Sequence, residues 1–252
     1  MDPVYVQLQE RARRIVSRQP TLRFYDACAD ACAGSTNFYA TDPVVGRLRR
    51  FVTARLEDDF GHGLGHAVKV TLDAGALILV ESEGQPPSAP HMVRRLRAVQ
   101  CAALLHDIRR KDRDHARAGA DYADTLLHGG YPLPPETIRA ICGAIRNHEA
   151  FQACAPAPTR EAQLISDCLY DADKFRWGPD NFHDTIWDMV TFARVPPATF
   201  LRHYPRGMES LTRIRSTFRS HAGRRYGPEF IDQGIDIGRQ LYEVIRREFR
   251  HG

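Results

Sequence analysis

The stretch Ala98-Val99-Gln100-Cys101-Ala102-Ala103-Leu104-Leu105-His106-Asp107-Ile108 decides how the rest of the chain is read. Leu96, Val99, Ala103 and His106 follow one another by three, four and three residues, the spacing of one face of an α-helix. An imidazole therefore stands on an apolar stripe, with the Asp107 carboxylate beside it at the helix end. Burying both is costly unless a partner satisfies them, and a divalent metal does so well. Alone the dipeptide is a weak signal, because neighbouring buried His and Asp more often form a hydrogen-bonded core pair.

Upstream, Val4, Leu8, Ala12 and Ile15 mark a helix over 4–18 that ends before Pro20. A short helix is expected over 22–33, broken by Gly34-Ser35-Thr36-Asn37. Asp42-Pro43 reads as the cap and first turn of a helix running to about Asp59. Alternate glycines at Gly61, Gly63 and Gly65 make a loop or loosened helix start around His62 and His66, where backbone can pass close to a ligand. Val68, Leu72, Ala76 and Leu79 then carry a helical stripe towards Val80.

Downstream of the loop Gly84–Pro90, the His106-Asp107 helix starts near His91. A helix over 115–127 closes at Gly129-Gly130, and Leu133-Pro134-Pro135-Glu136 opens the next. In that helix Ile138, Ile141, Ile145 and His148 again step three, four, three. Helices follow over 160–175, 180–194 and 198–219. Gly223-Arg224-Arg225-Tyr226-Gly227-Pro228 is expected to turn the chain into a last helix carrying Ile231, Ile235, Leu241, Ile245 and Phe249. With no β-type alternation, repeat or low-complexity tract, the expected fold class is all-α.

The 252 residues suffice for a full core, and 43% hydrophobic with 26% charged residues is ordinary for a globular protein. A net charge of +4 comes largely from arginine clusters such as Arg94-Arg95-Leu96-Arg97 and Arg109-Arg110-Lys111. Most of these read as solvated helix faces, and a few as grips for a phosphorylated ligand. Base-stacking aromatics among basic residues are lacking, so a nucleic-acid partner is not expected. The six cysteines have no zinc-ribbon spacing. No signal peptide or membrane span is read from the sequence, and the expected location is a reducing cytoplasm.

The polar residues at inward or loop-closing positions are His62, His66, His106, Asp107, His115, His148 and Asp173. They are ligand types for a borderline divalent metal such as Mn, Fe, Co, Ni or Zn. Three segments in order complete the pattern: His66-Ala67-Val68-Lys69-Val70, Ala102-Ala103-Leu104-Leu105-His106-Asp107-Ile108 and Asp171-Ala172-Asp173-Lys174-Phe175. Together, over roughly residues 58–178, they resemble the HD superfamily of metal-dependent phosphohydrolases. Arg109 departs from the pattern, standing where relatives often carry Gly.

The resemblance implies an HD-domain-like helical bundle, a single domain over 1–252 with its HD-like core about 42–194. Residues 1–41 would form N-terminal helices and 195–252 a C-terminal helical extension. It further implies a metal held by His66, His106, Asp107 and Asp173, with Asp171 the alternative to Asp173 and favoured as a capping or supporting acid. His115 and His148 match positions that hold a second metal in some branches; otherwise they would bind a substrate phosphate. By adjacency, His62, Lys69, Arg109, His148 and Lys174 are candidate substrate contacts, and Asp112, Lys111 or His115 a candidate proton donor to the leaving group.

The chemistry so implied is hydrolysis of a small phosphorylated metabolite or nucleotide by metal-activated water, as a phosphatase, nucleotidase or pyrophosphatase. Two other readings stay open: a di-iron oxygenase of the same superfamily, and a non-catalytic sensor or interaction domain. Oligomeric state is not read from the sequence.

Overall fold

A computed structural model describes residues 1–55, 63–83, 85–86 and 88–248. The deciding stretch forms helix α6, Pro90–Leu105, preceded by α1 (Pro3–Val16), α2 (Arg23–Ala27), α3 (Ala29–Thr41), α4 (Pro43–Thr53) and α5 (Leu64–Glu81). After it come α7 (His115–His128), α8 (Pro135–Arg146), α9 (Arg160–Phe175), a π-turn at Asn181–Thr185, α10 (Ile186–Phe192), α11 (Pro197–Ile214) and α12 (His221–Glu248). The fold is all-α, and no strand occurs among the described residues.

Pro90 starts α6 without loss, since a first-turn residue has no intrahelical partner for its N–H. From Ala98 to Leu105 every α6 residue is buried, as befits a helix enclosed on all sides. Its partners are α5, α8, α9 and α4, while α3 and α9 also cover α5 and α7 packs on α8. The metal-type residues thus sit at the ends of the central helices: His66 in the first turn of α5, His106 capping α6, His115 opening α7 and Asp173 in the last turn of α9.

One expectation fails at the N-terminal side. Gly34-Ser35-Thr36-Asn37 does not break a helix; α3 runs through it to Thr41. Tertiary contact overrides local preference there, because Ser35 is buried, donates to Leu72 O at 2.7 Å and accepts from Gln100 Nε2 at 3.1 Å. Gly75 on α5 permits this approach, as a Cβ there would lie 2.2 Å from Ser35 Oγ. The Asp42-Pro43 start holds: Asp42 Oδ1 accepts from Val44 N and Val45 N, both at 3.0 Å, and Arg97 clamps the carboxylate at 2.7 Å. That helix ends at Thr53 with Ala54 as its cap, short of the expected Asp59; residues 56–59 lie outside the described residues.

The second correction concerns residues 223–228, which do not form a turn. Helix α12 begins at His221 and passes through Gly223, Gly227 and Pro228. Gly223 is required by close packing, since a Cβ there would meet Asp171 Oδ2 at 1.9 Å.

Two buried clusters share α12. The larger unites α2 to α9 with the start of α12, and Phe175 stacks on Phe230 at 4.0 Å within it. The smaller joins Tyr5 and Leu8 of α1 to Phe182, Trp187, Phe200, Tyr204 and the later turns of α12. Its polar aromatics are satisfied: Tyr5 OH donates to Val195 O at 2.8 Å, Trp187 Nε1 to Phe182 O at 2.7 Å and Tyr204 OH to Gly238 O at 3.0 Å. Leu22 and Phe24 pack in the larger cluster, and Trp187 and Val190 in the smaller.

Candidate metal centre

Four donor atoms converge where α5, α6 and α9 meet. His66 Nε2 lies 3.3 Å from His106 Nε2 and 3.3 Å from Asp173 Oδ1, and His106 Nε2 lies 3.3 Å from Asp107 Oδ2. The longer edges, His66 to Asp107 and His106 to Asp173, are 3.9 and 3.8 Å. Donors about 2.1 Å from one ion stand about 3.0 Å apart at a right angle and about 3.4 Å apart at the tetrahedral angle. The His66–His106–Asp173 trio is compact enough to hold one ion, with Asp107 Oδ2 beside it.

Hydrogen bonds from the outer ring nitrogens fix how two of the histidines are turned. His106 Nδ1 lies 2.7 Å from Ala103 O, which only accepts, so Nδ1 carries a proton and Nε2 is the nitrogen turned toward His66 and Asp107. His148 repeats the device, with Nδ1 donating to Ile145 O at 2.6 Å. Such bonds from the outer ring nitrogen orient metal-binding histidines. Burial pushes the His66 pKa down, favouring its neutral, ligating form. Burial works the other way on Asp107, yet the charge and hydrogen bonding of His106 hold that carboxylate well below its usual range.

Asp107 also faces a second donor group. Its Oδ1 is 3.6 Å from His115 Nε2 and 3.5 Å from His148 Nε2, and these three atoms form a compact set. Oδ1 is buried without a hydrogen-bond partner, although the carboxylate it belongs to is ionised. A buried orphan oxygen costs of order 1–3 kcal/mol, more when charged. A cation would remove that cost. These buried His and Asp clusters can hold a metal ion, and the donor set, all imidazole and carboxylate, suits a borderline divalent one.

Two cations border the site. Lys174 is buried with Nζ 2.5 Å from Asp173 Oδ2, so Asp173 offers Oδ1 to the histidines and Oδ2 to the lysine. Arg110 donates through Nη1 to His115 Nε2 at 2.7 Å, and Glu149 accepts from His115 Nδ1 at 2.8 Å. Arg110 thus occupies the nitrogen that a second ion would need.

A cavity of about 700 Å³ opens from these groups. Its lining combines His66, Asp107, Arg110, His115, His148, Asp173 and Lys174 with Phe182, Met189, Phe200 and Leu211.

No family model, curated protein or solved structure matches this chain.

The structure brings His66, His106, Asp107, His115, His148, Asp173 and Lys174 together around one centre. The choice between Asp171 and Asp173 is settled by helix phase. Asp171 points to α12, accepting from Arg219 N at 2.8 Å and Ser220 N at 2.7 Å, and serves as a cap. Three expected contacts are placed elsewhere. Lys69 pairs with Asp180 at 2.7 Å, and exposed Arg109 pairs with Asp112 at 2.9 Å. Lys111, also exposed, lies over the Phe192 ring at 5.7 Å. None of the three lines the cavity, because the turns after His106 direct Arg110 inward instead. His62 lies outside the described residues.

Arg110 and Glu149 were missed. Each stands beside a predicted site residue, but both occupy irregular segments where no periodicity fixes direction.

Proposed function

We propose that this chain is an HD-type metal-dependent phosphohydrolase. The observation that carries the reading is the Asp107 carboxylate, whose Oδ2 lies 3.3 Å from His106 Nε2 and 3.9 Å from His66 Nε2 and whose orphaned Oδ1 faces His115 and His148. His66, His106, Asp107 and Asp173 would hold a divalent transition ion such as Mn, Fe, Co, Ni or Zn. When bound, that ion supplies an acidified water as nucleophile and a positive centre for a phosphoryl oxygen.

The chain's own residues provide the remainder. Arg110, at the mouth of the donor set, presents a guanidinium fork matched to phosphate oxygens. Lys174 holds Asp173 in place and adds positive charge to the same wall. His115, turned by Glu149, is positioned to hold a proton near the departing oxygen. Lys111 is set aside in that role because it does not line the cavity.

A second reading has its own observation. Two adjacent three-donor sets, His66–His106–Asp173 and Asp107–His115–His148, suit a dinuclear centre, and with iron in both sets the chain would act as an oxygenase. Assays of a phosphate-ester panel with Mn, Co, Ni, Zn and Mg, alongside oxygen uptake by the iron-loaded protein, separate the two. Phosphate release with no oxygen uptake is expected. Oxygen consumption without phosphate release would replace the hydrolase by the oxygenase. Among the described residues no helix is long and apolar enough to cross a membrane, and a small phosphorylated compound is the partner this reading requires.

A further inference from the structure

We infer that the part of the substrate beyond its phosphate is hydrocarbon: the site takes a phosphate monoester of an apolar alcohol. This rests on the phosphoryl chemistry proposed above and names its substrate class. Every Asp, Glu, Lys and Arg lining the cavity falls between Asp107 and Arg176. From Trp177 onward the lining holds none of them and is dominated by Phe182, Ile186, Met189, Val190, Phe200 and Leu211.

The polar side chains in that part of the lining are Asn181, Thr185, Thr199, His203, Tyr204 and Ser210, a minority among apolar ones, and half of them already donate to backbone oxygens. Tyr204 OH already donates to Gly238 O at 3.0 Å, and Ser210 Oγ to Arg206 O at 3.4 Å. A sugar or base placed there would meet mostly apolar side chains, with Asn181, Thr199 and His203 to bond, at a cost of about 1–3 kcal/mol for each group left unpaired. A hydrocarbon leaves none unpaired. Its burial is favourable, and the flexible thioethers Met189 and Met208 can shape themselves around it.

Exposure points the same way. Phe151 and Met189 are 53% and 38% exposed, and both border this cavity. Phe151 adopts φ 64°, a left-handed conformation that a bulky side chain rarely takes, with Arg213 over its ring at 4.3 Å. The volume of about 700 Å³ falls within the roughly 300–1,000 Å³ of sites for drug-sized ligands. In the reaction, water oxygen bonds to phosphorus, the bond from phosphorus to the alcohol oxygen breaks, and that oxygen takes a proton. Alcohol and inorganic phosphate result, with no redox partner.

The test uses full-length, Mn-loaded protein. Calorimetry measures binding of ethyl-, butyl- and octylphosphonate, which cannot be hydrolysed at a P–O–C bond. Parallel assays follow release of phosphate from the matching alkyl phosphates, with ribose 5-phosphate and adenosine 5′-monophosphate as polar comparators. Affinity and kcat/KM are expected to rise with chain length by up to about fourfold per methylene. Met189→Glu should flatten that slope. Equal affinity for ethyl- and octylphosphonate, or preference for the polar esters, would overturn the inference even if phosphate is released. A phosphonate slope without turnover of any ester would refute the hydrolase and leave the apolar pocket standing.

Discussion

Asp107→Asn keeps side-chain volume but removes the charge and one of the two acceptor oxygens that face the separate donor sets. Metal that binds only the folded protein stabilises it by RT ln(1 + [M]/Kd), about 2.7 kcal/mol at one hundred times Kd. For a chain of this size each kcal/mol moves Tm by about 2–4 °C, so wild-type protein should gain about 5–11 °C. Losing a partner that merely orients a ligand weakens metal binding about 10–100-fold, and losing the ligand itself should do at least as much. At the same metal concentration, a hundredfold loss leaves about 0.4 kcal/mol, a shift of only about 1–2 °C. Differential scanning calorimetry with and without metal reads this directly, and comparing shifts cancels any effect of the substitution on the apo protein. An Asp107→Asn variant with the full wild-type shift would refute a site built on this carboxylate.

Arg110→Ala should lower kcat/KM for phosphate esters by about 10²-fold, as expected for a charged donor facing the phosphoryl group, while steady-state kinetics with an unchanged kcat/KM would remove it from the site. Asp171→Ala should cost about 1–2 kcal/mol through loss of the α12 cap, lowering the apo Tm by roughly 2–8 °C; its metal-induced shift should match wild type, and a lost shift would mean that Asp171 is a ligand. Affinity for metal should fall with falling pH. The relevant proton sits on His106: burial pushes its pKa down, but Asp107 and Asp173 outweigh that and raise it above the ordinary 6.5. Metal must displace this proton, so titrations from pH 8 downward should weaken beginning above 6.5 and not only below it.

The sequence carried the helices wherever one apolar face was continuous, as in α6, α8 and α9. It misjudged α3 and the start of α12 because glycine there serves contact between elements. Gly75 admits Ser35 from another helix, and Gly223 admits Asp171; local propensity contains neither fact. Ligand types were legible because His106 and His148 each stand at the end of a periodic stripe, and because His66 and Asp173 fall in segments that resemble the HD pattern. Side chains in the turn after His106 were not, and so Arg109 and Lys111 were favoured over Arg110. The apolar part of the cavity lining was invisible for a different reason: Phe182, Met189, Phe200 and Leu211 come from three separate elements.

Anomalous diffraction from crystals grown with Mn or Fe, recorded at the metal edge, tests the central claim most directly. A peak is expected within bonding distance of His66 Nε2, His106 Nε2, Asp107 Oδ2 and Asp173 Oδ1. A second, beside Asp107 Oδ1, is expected only if Arg110 swings away from His115. Density at surface carboxylates with none among these four atoms would contradict the account.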